Sequence, residues 1–227
     1  IQPTIGDYFT EKNYRRNYEI LRQLTFVFFC ISSVVAAGLF SLITPFICDI
    51  WLSPAYELGW GTAVLCIVVL LIKIMGLPLS LMMGVTGLFE KEKNAGASSA
   101  VLNLVVSLAL VRPYGMTGVL LGTLLSYLLQ ICYRYVIFFR DFLEMKEEAI
   151  RYARDLGEYT AVMILEVAVT RRIIPRIYGN VGMTPFIFCF VLCILVPLAL
   201  NGVFFGRGWR LQSIVKRVRG MKRSGSR

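Results

Sequence analysis

Long apolar runs separated by short charged segments dominate the chain. Residues 23–48, 58–89 and 177–206 contain only one charged side chain, that of Lys73. Each run exceeds the roughly 20 residues with which a helix crosses about 30 Å of hydrocarbon. The pattern predicts an all-α, polytopic membrane protein with about six transmembrane helices.

Turn-forming residues divide the chain into segments. We predict a cytoplasmic segment with the start of an amphipathic helix over residues 1–23, four transmembrane helices over 24–139, an interfacial cytoplasmic helix over 140–158, two transmembrane helices over 159–206 and a basic cytoplasmic tail over 207–227. The interfacial helix is predicted because apolar residues recur at helical spacing and charges fill the other face, a pattern that a solvated linker helix also shows. The fifth transmembrane helix is the least apolar, with Glu166 near its middle and Arg171 and Arg172 beyond it.

Composition and charge agree with this topology. Hydrophobic residues make up 57% of the chain and charged residues 17%, whereas a soluble domain is close to half apolar and a quarter charged. The net charge of +10 is better assigned to cytoplasmic loops than to a nucleic-acid surface, since Lys and Arg concentrate on the cytoplasmic side of membrane proteins. With the start of the chain inside, eighteen Lys and Arg lie on that side and four on the other. This distribution needs all six crossings and predicts both ends in the cytoplasm.

Residues that usually carry catalysis are scarce. The chain has six cysteines and no histidine. The cysteines lie in or at the ends of apolar runs without a Cys-x-x-Cys pair, so we expect them to pack as small apolar residues and to bind no metal. Metal hydrolysis and Ser-His-Asp chemistry lack their usual residues, and no Gly-rich phosphate loop is present. We therefore expect no enzyme activity and no cofactor.

Short segments of the first 140 residues carry a further signal. They are residues 3–8 and 11–14, 45–47 and 51–52, 87–89, 103–111 and 115–123. In their order and spacing they resemble polysaccharide flippases, the Wzx-type lipid-linked oligosaccharide transporters of the MOP (MATE-like) superfamily. Residues 141–227 show no such motif.

The resemblance implies a two-lobed helical bundle around a central cavity that opens alternately to each side. This chain would be the C-terminal portion and form most of one lobe, and the N-terminal lobe would be missing from it. The implied partners are a lipid-linked oligosaccharide, the lipid bilayer and that missing lobe, with no nucleic acid. The implied location is the cell (cytoplasmic or inner) membrane.

Charges within the apolar runs need an explanation, because each costs about 2.5–3.5 kcal/mol at the centre of a membrane helix. Lys73 either faces a wet cavity and binds the diphosphate or acidic sugars of the glycan, or pairs with Glu166. The two interpretations are not exclusive. Arg171 and Arg172 either guide an anionic headgroup or extend to the interface. The candidate substrate-binding residues are therefore Lys73, Glu166, Arg171 and Arg172.

Two further features concern packing. Gly118 and Gly122 form a small-xxx-small face, which predicts close helix packing, although a bending point for alternating access fits the same residues. Arg134, near the predicted inner end of the fourth helix, is expected to extend to the interface beside Tyr133 and Tyr135.

Two other functions fit parts of the pattern. A multidrug or cation antiporter of the MATE branch would keep the fold, but its cavity should present acidic residues, and Glu166 is the only deep one. A membrane-embedded polysaccharide polymerase or glycosyltransferase needs polar loops that hold acid–base or metal-binding residues. The loops between the predicted helices are short, which disfavours such an enzyme.

Overall fold

The computed structural model describes residues 14–142, 146–177 and 182–206. Its six long helices are α1 (Tyr14–Pro45), α2 (Trp60–Val85), α3 (Phe89–Tyr114), α4 (Met116–Val136), α5 (Lys146–Ile177) and α6 (Met183–Phe205). Short π-helical turns extend α1 over Phe46–Trp51 and α4 over Ile137–Phe142, and a 3-10 turn, Pro54–Tyr56, precedes α2. No strand occurs in the described residues. Residues 1–13 of the segment predicted over 1–23, and the whole basic tail predicted over 207–227, lie outside them.

Five of the six helices are long and apolar enough to cross a membrane. They are α1, α2, α3, α4 and α6, and they confirm an all-α polytopic membrane protein. The helix α5 is not among the five, because acidic and basic residues recur along it. The composition of α5 alone therefore does not identify it as a membrane span.

The helix α1 is the centre of the bundle and contacts α2, α5 and α6, whereas α3 packs mainly on α4. At the end of α6, the ring of Phe205 lies 5.5 Å from that of Phe26 in the first half of α1. The beginning of α1 and the end of α6 therefore share one end of the bundle. We call that end the base and the opposite end the top.

Packing places α5 beside α1 along the whole apolar length of α1. Near the base, Arg22 of α1 forms an ion pair with Asp155 of α5 at 2.6 Å. Near the top, Leu42 and Ile174 belong to one buried cluster. The stretch of α1 from Arg22 to Leu42 is roughly 30 Å long, about the thickness of the hydrocarbon core. If α1 crosses the membrane, α5 crosses with it, in the same direction.

One continuous helix, α5, runs across residue 158, the predicted boundary between the interfacial helix and the fifth transmembrane helix. No proline interrupts this stretch before Pro175, and its first turns are rich in strong helix formers such as Lys, Glu, Ala and Arg. Tyr152 and Asp155, in the part predicted to be interfacial, are buried against the rest of the bundle. The first half of α5 is thus a packed part of the fold.

A cluster at the base fixes the first half of α5. The Tyr135 hydroxyl of α4 donates to the backbone carbonyl of Ala149 at 2.7 Å. The Tyr152 side chain is buried in the same cluster. Since the Thr25 hydroxyl already donates to the Leu21 carbonyl, Tyr152 is the donor in its 3.1 Å hydrogen bond with Thr25.

The helices α3 and α4 form a close antiparallel hairpin. The charged segment over residues 90–93 is helical, because α3 begins at Phe89, and Glu92 lies in the first turn, where the helix dipole favours an acidic side chain. The chain reverses at Gly115, whose φ of +56° suits glycine. A Cβ atom at Gly118 would overlap a backbone carbonyl of α3, and one at Gly122 would overlap a serine of α3. The predicted close packing of these two glycines is confirmed.

Candidate functional site

Glu166 lies in a buried polar layer between α1, α5 and α6. Its side chain is 0% exposed, and that of Asn201 on α6 is 5% exposed. The Ser33 side chain of α1 is also buried and faces the Glu166 carboxyl group. We call Ser33, Glu166 and Asn201 the polar layer. Glu166 lies roughly 30 Å along α5 from its first residue, deep within the bundle.

An aromatic layer closes the polar layer on the side of the base. It consists of Phe26 and Phe29 of α1, Tyr159 of α5 and Phe205 of α6. The rings of Phe29 and Tyr159 stack with their centroids 4.6 Å apart, and Phe205 meets Phe29 edge-on at 5.6 Å. Such tightly packed rings exclude water from the base side of the polar layer.

A second apolar cluster closes the polar layer toward the top. It joins Leu42 of α1, Ile174 of α5, and Cys189 and Cys193 of α6, all of them buried. The two cysteines pack as apolar side chains, as the sequence predicts. The polar layer is therefore bounded by apolar side chains from the same three helices on both sides.

The Glu166 carboxyl group faces acceptors in the polar layer, and the one hydroxyl donor beside it, that of Ser33, is engaged with a backbone carbonyl. The Ser33 hydroxyl donates to the Cys30 carbonyl at 3.1 Å and accepts from Asn201 Nδ2 at 3.0 Å. No described residue makes a hydrogen bond with either carboxyl oxygen of Glu166 or with Asn201 Oδ1. Because a serine hydroxyl has one proton and two lone pairs, Ser33 can donate to Glu166 only by giving up its hydrogen bond to the Cys30 carbonyl.

The surrounding electrostatics do not compensate a negative charge at Glu166. The helix α6 carries no charged residue, and α1 carries none between Arg22 and its C-terminus. The nearby Thr170 hydroxyl donates to the backbone carbonyl of Glu166 and not to its carboxyl group. An ionised carboxylate buried without a partner costs several kcal/mol. The polar layer therefore favours the neutral form of this side chain.

Lys73 lies on a different face of the bundle from Glu166. Its side chain is exposed at the middle of α2, and its Nζ atom is 5.8 Å from the centre of the Tyr127 ring on α4. Both residues are described, and no ion pair joins them. The structure therefore does not contain the pair between Lys73 and Glu166, which was one of the two interpretations of Lys73.

The arginines at the top are also separate from the polar layer. The guanidinium carbon of Arg171 lies 4.4 Å from the centre of the Trp60 ring at the start of α2, and the Arg172 side chain is exposed. Stacking of Arg171 on an exposed tryptophan is typical of anchoring at a membrane interface. The four candidate residues thus fall in three places, and only Glu166 belongs to a buried polar site.

Arg134 does not extend to the interface as the sequence predicts. It is mostly buried and forms an ion pair with Glu92 of α3, with Nε 2.7 Å from Oε1. Ser80 of α2 donates to the same carboxylate at 3.4 Å. The Arg134 side chain turns to the carboxylate because a charge-assisted hydrogen bond is stronger than a neutral one, and through Ser80 the Glu92 carboxylate links α2, α3 and α4.

Sequence reasoning missed Ser33 and Asn201. Both lie in apolar runs, where a single Ser or Asn barely changes the hydropathy. The presence of Asn201 in an apolar run could have indicated a polar contact, because amide side chains in membrane helices commonly form hydrogen bonds to neighbouring helices. Asn201 also lies one helical turn after Pro197.

No protein-family model, no curated protein sequence and no solved structure matches this chain.

Proposed function

We propose that this chain is the C-terminal portion of a transporter that translocates lipid-linked oligosaccharides across the cytoplasmic membrane during surface polysaccharide synthesis. Support comes from the all-α polytopic fold and from the motif order that resembles Wzx-type flippases of the MOP superfamily. In this proposal the base faces the cytoplasm, because the Lys and Arg count of the sequence puts the start of the chain inside and α1 begins at the base. The missing N-terminal lobe would complete the central cavity.

The observation that carries the proposal is the exposed position of Lys73. An ammonium group halfway along an apolar helix cannot be solvated by lipid tails. Its neighbours on α2 and α4 offer only the Tyr127 ring. A water-filled cavity facing α2 and α4 would solvate Lys73 and let it bind the phosphate of a lipid carrier. That cavity is the one expected between two lobes.

The position of Glu166 favours the glycan branch over a cation antiporter. A cavity for cationic drugs needs an accessible carboxylate, and the Glu166 side chain is fully buried between α1, α5 and α6. Lys73 is the exposed charge at mid-helix and is complementary to an anionic substrate. For these reasons we place the multidrug antiporter second.

We expect Lys73→Gln, made in the full-length protein, to lower surface glycan roughly tenfold, since one charge-assisted hydrogen bond to phosphate is worth about that factor in affinity. Lys73→Arg should retain most of the export. Surface glycan and the lipid-linked precursor retained in the membrane would be measured in cells that lack their own copy of the gene.

The matched control is Lys93→Gln, which removes an exposed lysine from the first turns of α3. It should leave export unchanged. Normal glycan with Lys73→Gln would exclude a role of Lys73 in substrate binding. An upstream coding sequence for a soluble catalytic domain, instead of further membrane helices, would overturn the transporter proposal itself.

A further inference from the structure

We propose that the polar layer is a proton-binding site, in which Glu166 holds a proton while Ser33, Asn201 and the aromatic layer cover it. The proposal rests on the geometry of α1, α5 and α6. It does not depend on the transported substrate, so a failed glycan-export test would leave it standing.

An ionised Glu166 carboxylate would need a positive partner, because the side chain is buried away from water. Neither carboxyl oxygen of Glu166 has a hydrogen-bond partner among the described residues, and the side chain is fully buried. A proton removes the charge and leaves a carboxyl group that needs one acceptor. The second lone pair of Ser33 Oγ and the Asn201 Oδ1 atom both offer that acceptor.

A monovalent metal cation suits the site less well than a proton. Hard cations are coordinated by about six oxygen ligands in most protein sites. Around Glu166, the Ser33 hydroxyl already makes two hydrogen bonds, and the amide nitrogen of Asn201 is turned toward Ser33. The two Glu166 oxygens and Asn201 Oδ1 fall well short of a coordination shell.

Among the described residues, the titratable side chain beside Glu166 is the Cys30 thiol of α1, which carries no positive charge, and the nearest charged groups are engaged elsewhere. Along α1 the flanking charge toward the base is Arg22, and it pairs with Asp155. The helix α6 has no charge, and Lys73 of α2 lies over Tyr127. On α5 itself, Arg171 is the next charge toward the top, and it stacks on Trp60.

The structure also points to how the proton enters and leaves. Pro197 lies in α6 one turn before Asn201 and has no N–H to donate to the carbonyl of Cys193. The helix is weakened there, so the segment that carries Asn201 and Phe205 can bend away from α1 and α5. Bending would uncover Glu166 toward the base. Its O–H bond then breaks, the proton passes to water, and the electron pair remains on the carboxylate.

Infrared spectroscopy of the complete chain in phosphatidylethanolamine–phosphatidylglycerol vesicles tests the site. At pH 7 the difference between wild type and Glu166→Gln should contain the carbonyl band of a protonated carboxyl group. The control Glu158→Gln, an exposed position on the same helix, should leave the band of the native Glu166 in place. A carboxylate band at Glu166 in both sodium and choline buffers would overturn the proposal. A protonated Glu166 in choline buffer together with an ionised Glu166 in sodium buffer would also overturn the proposal, because it would show that the site binds sodium.

Two further variants keep the test decisive if Glu166→Gln fails to fold. Ser33→Ala and Asn201→Leu each remove one acceptor, so at least one should shift the protonated band of the native Glu166. If the band were unshifted in both Ser33→Ala and Asn201→Leu, the protonated carboxyl group would not be in contact with the polar layer, and the proposal would be overturned.

Pro197→Ala tests the route, because it restores a backbone hydrogen bond at the bend. We expect it to slow hydrogen–deuterium exchange of the Glu166 carboxyl group by roughly tenfold, the effect of one added hydrogen bond. The exchange rate is read from the shift of the same band after transfer to D₂O. An unchanged rate would overturn the role of α6 as the moving element.

Discussion

Replacing Gly118 with alanine is expected to destabilise the α3–α4 hairpin by about 1–3 kcal/mol, the usual cost of forcing extra atoms into a packed contact. The added methyl group would overlap the backbone carbonyl of Leu110. A carbonyl oxygen of the helix backbone cannot turn aside as a side chain can, so the two helices must separate. Thermal unfolding of the purified chain in detergent, followed by tryptophan fluorescence, measures the loss.

The matched control is Gly38→Ala in α1, because a Cβ atom there would meet no atom within 4 Å. Alanine has the higher helix propensity, worth about 1 kcal/mol in water. The Gly38 variant should therefore be as stable as the wild type or slightly more so. Equal stabilisation by both substitutions would show that α3 and α4 do not approach each other as closely as the structure indicates.

A second large effect is expected at the ion pair between Glu92 and Arg134. Their side chains are only 19% and 14% exposed, so each depends on the other for compensation. Glu92→Gln should lower stability by about 2 kcal/mol, because it leaves the Arg134 guanidinium without its carboxylate. Arg134→Gln should cost a similar amount.

The double variant Glu92→Gln/Arg134→Gln should lose less stability than the sum of the two single losses. The difference, the coupling energy, should be at least about 1 kcal/mol. Glu90→Gln is the control, since Glu90 lies in the same helical turn but is exposed, and it should change stability by less than about 0.5 kcal/mol. The same unfolding measurement serves all four variants. Strict additivity would mean that the pair contributes nothing as a pair.

The transmembrane pattern was predictable because it depends on hydropathy summed over many residues. The apolar runs identified five of the helices, and the small-xxx-small face identified the contact of Gly118 and Gly122 with α3. These features need only local sequence. The prediction of a sixth crossing rested on the count of Lys and Arg, and the packing of α5 along α1 supports it independently of charge.

Tertiary partners were not predictable in the same way. Arg134 has an acidic partner 42 residues away in sequence, and nothing local to Arg134 indicates it. Lys73 and Glu166 were natural partners by charge, yet the rotation of their helices places them on different faces. Asn201 and Ser33 are 168 residues apart. Their contact depends on the register between α1 and α6, which no spacing rule specifies.

The unbroken length of α5 has a mechanical consequence. It joins Glu166, deep in the bundle, to the base by a single rod roughly 30 Å long, without an internal proline to absorb bending. A tilt of only about 10° around Glu166 would shift the start of the rod sideways by about 5 Å, given the helical rise per residue. That start is held by the hydrogen bonds of Tyr135 and Tyr152. A change in the deep interior that tilts α5 would therefore have to break these hydrogen bonds, so the state of Glu166 and the integrity of the base are mechanically coupled.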